Sequence, residues 1–245
     1  MTLLIIAAFC AGQRVFPDDA IQQELPSPAK SIEEAQTGYL RIPAGKYRIS
    51  STINIKGKHD LVVDGTGVML VMTNHCAAFR IAGSDNIVLK GFTIDYDPLP
   101  FTQATVSSYD TGTSSAQIAV YKGYPDIDQF QNQGTAMVFD PESRLWKRDA
   151  CGFLNVDFSK ISPGIWNMRI KGPKGSSLAA GDLLVIERRN VAGMNIDNCS
   201  NVILSGLTWH SSPGIAMYGR YCTGNQILDR RSEERRVGKE CRSRW

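Results

Sequence analysis

Three stretches of the chain share one pattern of hydrophobic and polar positions. Ile53 to Gly65 reads INIKGKHDLVVDG, Phe79 to Gly91 reads FRIAGSDNIVLKG and Met194 to Gly206 reads MNIDNCSNVILSG. Each opens on apolar residues alternating with polar ones and runs through a polar turn to an Asp or Asn (Asp60, Asn86, Asn201). Three apolar residues, one polar residue and a glycine follow. The second and third copies continue in step, Phe92-Thr93-Ile94-Asp95 against Leu207-Thr208-Trp209-His210, and a fourth, imperfect start runs from Ile215 to Leu228. Self-similarity at this spacing is the mark of a solenoid, in which each unit stacks on its neighbour and shares one continuous core. The runs Leu61-Val62-Val63 and Ile87-Val88-Leu89 suit buried parallel strands. The Asp or Asn before each run belongs at a bend, where Asn tolerates left-handed backbone and its side chains can stack in a ladder. Leucine-rich repeats would demand Leu at fixed alternate positions and a helical return. A β-sandwich would demand tight hairpins, whose Asn-Gly and Asp-Gly signals are sparse here.

Between the second and third copies the pattern changes. Over 97–190 short alternating segments are punctuated by Gly, Pro, Ser and Asp, and they predict antiparallel strands at Gln103 to Tyr109, Ala116 to Tyr121, Thr135 to Asp140, Gly152 to Phe158, Asn167 to Lys171 and Asp182 to Glu187. The predicted fold is therefore all-β, a right-handed parallel β-helix interrupted by an inserted antiparallel β-barrel-like subdomain. Its coils occupy 15–96 and resume over 191–230.

Composition adds little to this. The 245 residues are 42% hydrophobic and 21% charged, with a mean hydropathy of −0.19, as in folded soluble domains. The net charge of +3 would point to nucleic acid, but the excess lies in the tail RSEERRVGKECRSRW and the rest of the chain is neutral, so no nucleic-acid partner is expected. That tail has neither period nor alternation, and its back-translation resembles the reverse complement of a common short-read sequencing adapter. Residues 231–245 are accordingly expected to be an assembly artefact, the rival being a natural basic tail that binds phosphate. Near the start, Leu3 to Phe9 is too short to span a bilayer but has the length of a signal-peptide core. Residues 1–14 are thus expected to direct export, to a secreted or periplasmic location. The cysteines show no CxxC spacing and His59, His75 and His210 are scattered, so neither a disulfide scaffold nor a metal site is expected.

A resemblance enters on specific residues. Gly38 to Ile49 (GYLRIPAGKYRI) resembles the opening strand of pectin-lyase-like right-handed β-helix proteins, and Asp18-Asp19-Ala20-Ile21-Gln22 is similar to a segment that precedes it in that superfamily. Together with Phe92 to Gln103 (FTIDYDPLPFTQ), the insertion and Ala192-Gly193-Met194, the pattern looks most like glycoside hydrolase family 110, a family of α-galactosidases, over about residues 15 to 230. The resemblance implies an exported hydrolase of terminal α-linked galactose or a related glycan, working without a cofactor on an oligo- or polysaccharide. It also implies that the principal catalytic carboxylates lie on coils beyond this sequence, since no segment here matches them.

Glycoside hydrolysis ordinarily needs two carboxylates, one to protonate the leaving oxygen and one to activate water or attack. Asp95 and Asp97 are the local candidates, because side chains at i and i+2 of an extended segment share a face. If the insertion loops out and leaves copies two and three adjacent, His210 stands beside Asp95, which predicts a saccharide-binding row of Asp95, Trp209 and His210. Arg188 and Arg189 could bind sugar hydroxyls or an acidic sugar, and Tyr96 could stack on a pyranose face. Against these stand plainer roles: a turn at Asp97-Pro98, a core Trp209, a merely hydrogen-bonded His210, a junction-packing Tyr96 and an arginine paired with Glu187. Two other classes stay open. One is a non-catalytic glycan-binding or adhesin β-helix. The other is a polysaccharide lyase or epimerase, which would want an acidic calcium cluster or a cation beside a base.

Overall fold

The computed structural model describes residues 27–130, 133–147, 154–171, 177–187 and 191–229, with the backbone of 231–232. A short helix, α1 (Pro28–Glu34), comes first and buries Ile32 against the solenoid core. Its Glu33 Oε1 accepts the Asn54 N–H at 2.8 Å, which occupies a backbone donor at a sheet edge. The first coil consists of β1 (Gly38–Arg41) and β2 (Gly45–Ile49), the second of β3 (Ile53–Lys56) and the long β4 (His59–Met72), and the third of β5 (Phe79–Ala82) and β6 (Asp85–Tyr96).

The chain then leaves the solenoid for β7 (Phe101–Asp110), β8 (Ser115–Val120), a 3₁₀ turn (Ile127–Phe130), β9 (Gln133–Phe139), β10 (Leu154–Ser162), β11 (Ile165–Ile170) and β12 (Leu183–Glu187). These six strands close an antiparallel barrel in the order β10-β11-β8-β7-β12-β9. Its interior holds Ile118, Trp166, Met168 and Leu184. The Trp166 indole N–H donates to Asp126 Oδ1 at 2.6 Å, so that large buried ring is polar-satisfied. The alternating segments predicted for the insertion correspond in number and order to these six strands.

The solenoid resumes with β13 (Met194–Asp197), β14 (Ser200–Ser205) and β15 (Thr208–Trp209), and a further coil follows with β16 (Met217–Arg220), β17 (Gln226–Leu228) and β18 (Arg231–Ser232). The solenoid strands described here pair in parallel: Leu61, Ile87 and Val202 stack in one inward column, and Val63, Leu89 and Leu204 in the next. Among the described residues no helix is long and apolar enough to cross a membrane.

The bends repeat as strictly as the strands. Asp60, Asn86 and Asn201 have φ of 50°, 52° and 53°, and Gly224 continues that column at 67°. The amides form a ladder: Asn86 Nδ2 donates to Asp60 Oδ1 at 2.9 Å, and Asn201 Nδ2 donates to Asn86 Oδ1 at 3.1 Å. A second left-handed column runs through Gly57, Gly83, Asn198 and Tyr221. Tyr221 is the odd member, since a bulky side chain at φ of 53° sits in a region that penalises its Cβ.

The register slips between β4 and β6 at Asp64 to Val68. Asp64-Gly65 thus forms a bulge rather than a hairpin turn. Asp64 Oδ1 accepts the Thr66 N–H at 3.0 Å and the Thr66 hydroxyl at 2.7 Å, while Oδ2 takes the Tyr39 hydroxyl and lies 3.4 Å from Arg41 and 3.2 Å from Lys90. The Thr66 hydroxyl, then the Tyr39 hydroxyl and the Thr66 N–H, outweigh burial and hold this carboxyl well below the usual carboxylate range. A Cβ on Gly65 would lie 2.4 Å from the Phe92 ring, so the bulge gives Phe92 its space.

Three stability predictions follow from these contacts. Asn86→Leu removes both ladder bonds and puts a branched side chain at positive φ, which lowers unfolding free energy by about 2–3 kcal/mol in urea titration. Tyr221→Gly relieves backbone strain and raises it by about 1 kcal/mol. Because the Asp64 carboxyl is more acidic folded than unfolded, its contribution is complete above about pH 4 and is lost as pH falls below that. Asp64→Asn removes this part of the acid-side slope and costs about 2 kcal/mol at neutral pH; unfolding curves from pH 7 to pH 2 on both proteins measure it.

Candidate functional site

The site lies where the chain leaves the solenoid. In β6, Phe92, Ile94 and Tyr96 point into the core, so strand alternation turns Thr93 and Asp95 outward. On that outer face Arg48, Val71 and Asp95 stack in register across three coils. The next coil continues it: Thr208 pairs with Thr93, Trp209 with Ile94, and the His210 N–H donates to Ile94 O at 2.9 Å. Asp95 and His210 therefore meet, and His210 Nδ1 lies 3.7 Å from Asp95 Oδ2.

Asp95 is 8% exposed although it faces outward. Its Oδ1 accepts the Ser211 hydroxyl at 2.7 Å and the Tyr96 N–H at 2.9 Å. These donors fix the carboxylate, and its second oxygen faces the imidazole, whose side chain is 22% exposed. A carboxylate this near one ring nitrogen, though beyond hydrogen-bond reach, biases the ring's orientation electrostatically. The arrangement can thus present an oriented imidazole at the surface, able to donate to, accept from or exchange a proton with a bound hydroxyl.

No family model matches the chain. Over 184 residues it is 26% identical to alpha-1,3-galactosidase B from Bacteroides thetaiotaomicron, across 66% of this chain and 29% of that protein. The chain thus spans under a third of the length of the curated relative it matches. This distant similarity and the parallel β-solenoid together fit a pectin-lyase-like β-helix with a glycosidase-like relative.

Other candidates from the sequence fall in different places. Asp97 follows the end of β6: its N–H continues the ladder to Met72 O at 2.9 Å, and its Oδ2 pairs with Arg48 Nη1 at 2.9 Å. Both side chains of that pair are exposed, so it contributes little to stability. Asp95 and Asp97 thus have separate partners and share no hydrogen-bond network in the contacts described.

Two aromatic candidates, Tyr96 and Trp209, lie in the core. Tyr96 is 2% exposed and its hydroxyl donates to Cys76 O at 2.8 Å; burial pushes the phenol far above its usual range. Trp209 is 4% exposed and packs in the solenoid core, where a Cβ on Gly193 would lie 2.6 Å from its ring. Both rings occupy inward positions of the alternation, so neither offers a face to a sugar. Arg188 and Arg189 lie outside the described residues, as do 1–14 and all but the first two residues of 231–245. Among the described residues no group of three or more His, Cys, Asp or Glu is placed to hold a metal ion.

Ser211 and Arg48 were not singled out from the sequence. Ser211 follows His210 directly and is 1% exposed, so its signal was adjacency to a residue already in view. Arg48 lies two coils from Asp97, and only the full register brings it there.

Proposed function

We propose that this chain is part of an exported glycoside hydrolase acting on terminal α-linked galactose or a related glycan, with the Asp95–His210 pair forming a sugar-hydroxyl subsite. The similarity to alpha-1,3-galactosidase B carries this reading. The local chemistry supports it: a fixed carboxylate and an oriented, partly exposed imidazole suit the hydroxyl pairs of a pyranose, which need donors and acceptors side by side. In this reading the carboxylates that protonate the leaving oxygen and activate water belong to further coils of a longer polypeptide. Within this chain Asp95 positions the ring and His210 meets the sugar.

A second reading, a glycan-binding β-helix without catalysis, is favoured by one observation. Asp95 is committed to Ser211 and the Tyr96 N–H, and Asp97 to Arg48, so both candidate carboxylates already serve the structure.

Calorimetric titration with an α-1,3-linked galactose disaccharide, with release of free galactose followed in parallel, separates the readings. The folded chain is expected to bind the disaccharide, and His210→Ala and Asp95→Asn each weaken binding by about tenfold, the loss of one good polar contact. Galactose release by the longest available polypeptide supports the hydrolase, whereas binding without release by that polypeptide supports the second reading. A folded wild-type chain that binds no α-galactoside overturns both.

A further inference from the structure

Cys199 and Cys222 occupy equivalent positions on consecutive coils. Asp197 pairs with Arg220 and Ser200 bridges to Thr223, so the register between these pairs sets Cys222 on Cys199. The backbone confirms it there: the Thr223 N–H donates to Cys199 O at 3.1 Å. Neighbouring parallel strands run about 4.8 Å apart, within the roughly 4.4–6.8 Å between Cα atoms that a disulfide accepts.

The two side chains also lie the same way. The Cys199 thiol donates to Asp197 O at 3.1 Å, and the Cys222 thiol to Arg220 O at 3.1 Å, each two residues back along its own coil. Cys222 Sγ additionally lies 3.5 Å from Ile196 O, on the coil that carries Cys199. Cys199 belongs to the buried core, and Cys222 is half-buried and packs against it. An ion pair between Arg220 and Asp197 joins the same two coils close by.

We propose that Cys199 and Cys222, free thiols in this structure, are an oxidation site that closes an inter-coil disulfide and ties the coil of β16 and β17 to the coil of β13 and β14. The oxidant is a small-molecule disulfide such as oxidised glutathione. The half-buried Cys222 is the sulfur a solvent-borne oxidant meets first. Its thiolate attacks one sulfur of the oxidant and releases one glutathione thiolate, which takes up a proton. Cys199 then loses its proton and attacks Cys222 Sγ, which forms the S–S bond and releases the second glutathione thiol. Two protein thiols are oxidised and one glutathione disulfide is reduced to two thiols. Burial pushes the Cys199 thiol up, which makes the second step the slower one.

The test uses the full chain, with and without oxidised glutathione, blocked by alkylation and digested with trypsin without reduction. Cleavage after Arg220 separates the two cysteines. The expected result is one cross-linked species joining the peptide that holds Cys199 to the one that begins at Tyr221, lighter by two hydrogens than the two peptides together. The oxidised protein is expected to melt about 5–10 °C above the reduced one, and Cys222→Ser is expected to abolish both the species and the shift. Alkylation of both cysteines after oxidation, or a bond from either to Cys76 or another cysteine, overturns the proposal. The peptide map on the unaltered chain decides this even if the serine variant folds poorly.

Discussion

Everything in this structure depends on parallel strands stacked in register, because a coil can lie on its neighbour only if both bend at the same residue. The bends require left-handed backbone, so the same φ recurs down a column rather than at isolated turns. Asp60, Asn86 and Asn201 meet that demand with side chains that tolerate the region and bond to one another along the stack. Gly224 ends the described ladder differently. A Cβ there would lie 2.4 Å from Asn201 Oδ1, so glycine leaves room for the last amide. Gly67, Gly91, Gly206 and Asp229 form a third such column at the bend within the long strands.

The same constraint explains how a six-stranded barrel fits inside a solenoid. Neighbouring coils must match only at the ladder, and the number of residues between them is free. Along the ladder column the separation is 26 residues from Asp60 to Asn86 and 115 from Asn86 to Asn201, while Asp197 and Arg220 are separated by 23. Across the insertion β13 and β14 pair with β5 and β6 as consecutive coils do. The Ala78 N–H reaches Gly193 O at 2.7 Å as if nothing intervened. Residues on either side of the insertion become neighbours as a result, and Asp95 finds Ser211 from 116 positions away.

Much of this was legible in the sequence, because stacking writes itself as repetition. The three aligned copies located the bends, the strands and the break, and the break's short alternating segments correspond to the barrel strands. The approach of His210 to Asp95 follows from aligning copies two and three alone. The orientation of Tyr96 and Trp209 was also written there, since Trp209 aligns with Ile94 and both continue the inward alternation of Phe92. Aromatic side chains beside an acidic residue suggested a sugar platform, and the parity of the strand argued otherwise. Two features could not be read. Helix α1 is seven residues long and owes its place to packing on β3 rather than to a strong period of its own. The Asp64 cluster gathers donors from three coils across a bulge, and a bulge shifts the register that would otherwise have predicted its members.

Asp64 and Asp95 are both buried, and their surroundings assign them different work. A buried carboxylate is tolerable only where donors or cations replace the water it has lost. Around Asp64 the replacement is local and charged: the Thr66 hydroxyl and N–H close the bulge on one oxygen, and Tyr39, Arg41 and Lys90 converge on the other. The product is a fixed kink that makes room for Phe92 in the core. On Asp95 two neutral donors, the Ser211 hydroxyl and the Tyr96 N–H, act on Oδ1. At 3.7 Å the imidazole nitrogen is beyond hydrogen-bond reach of Oδ2, so that contact acts as an electrostatic bias rather than a bond. The ring's partial exposure gives a ligand somewhere to arrive. Asp64 spends its charge on the fold, whereas Asp95 passes the influence of its charge through His210 to the surface at the mouth of the insertion.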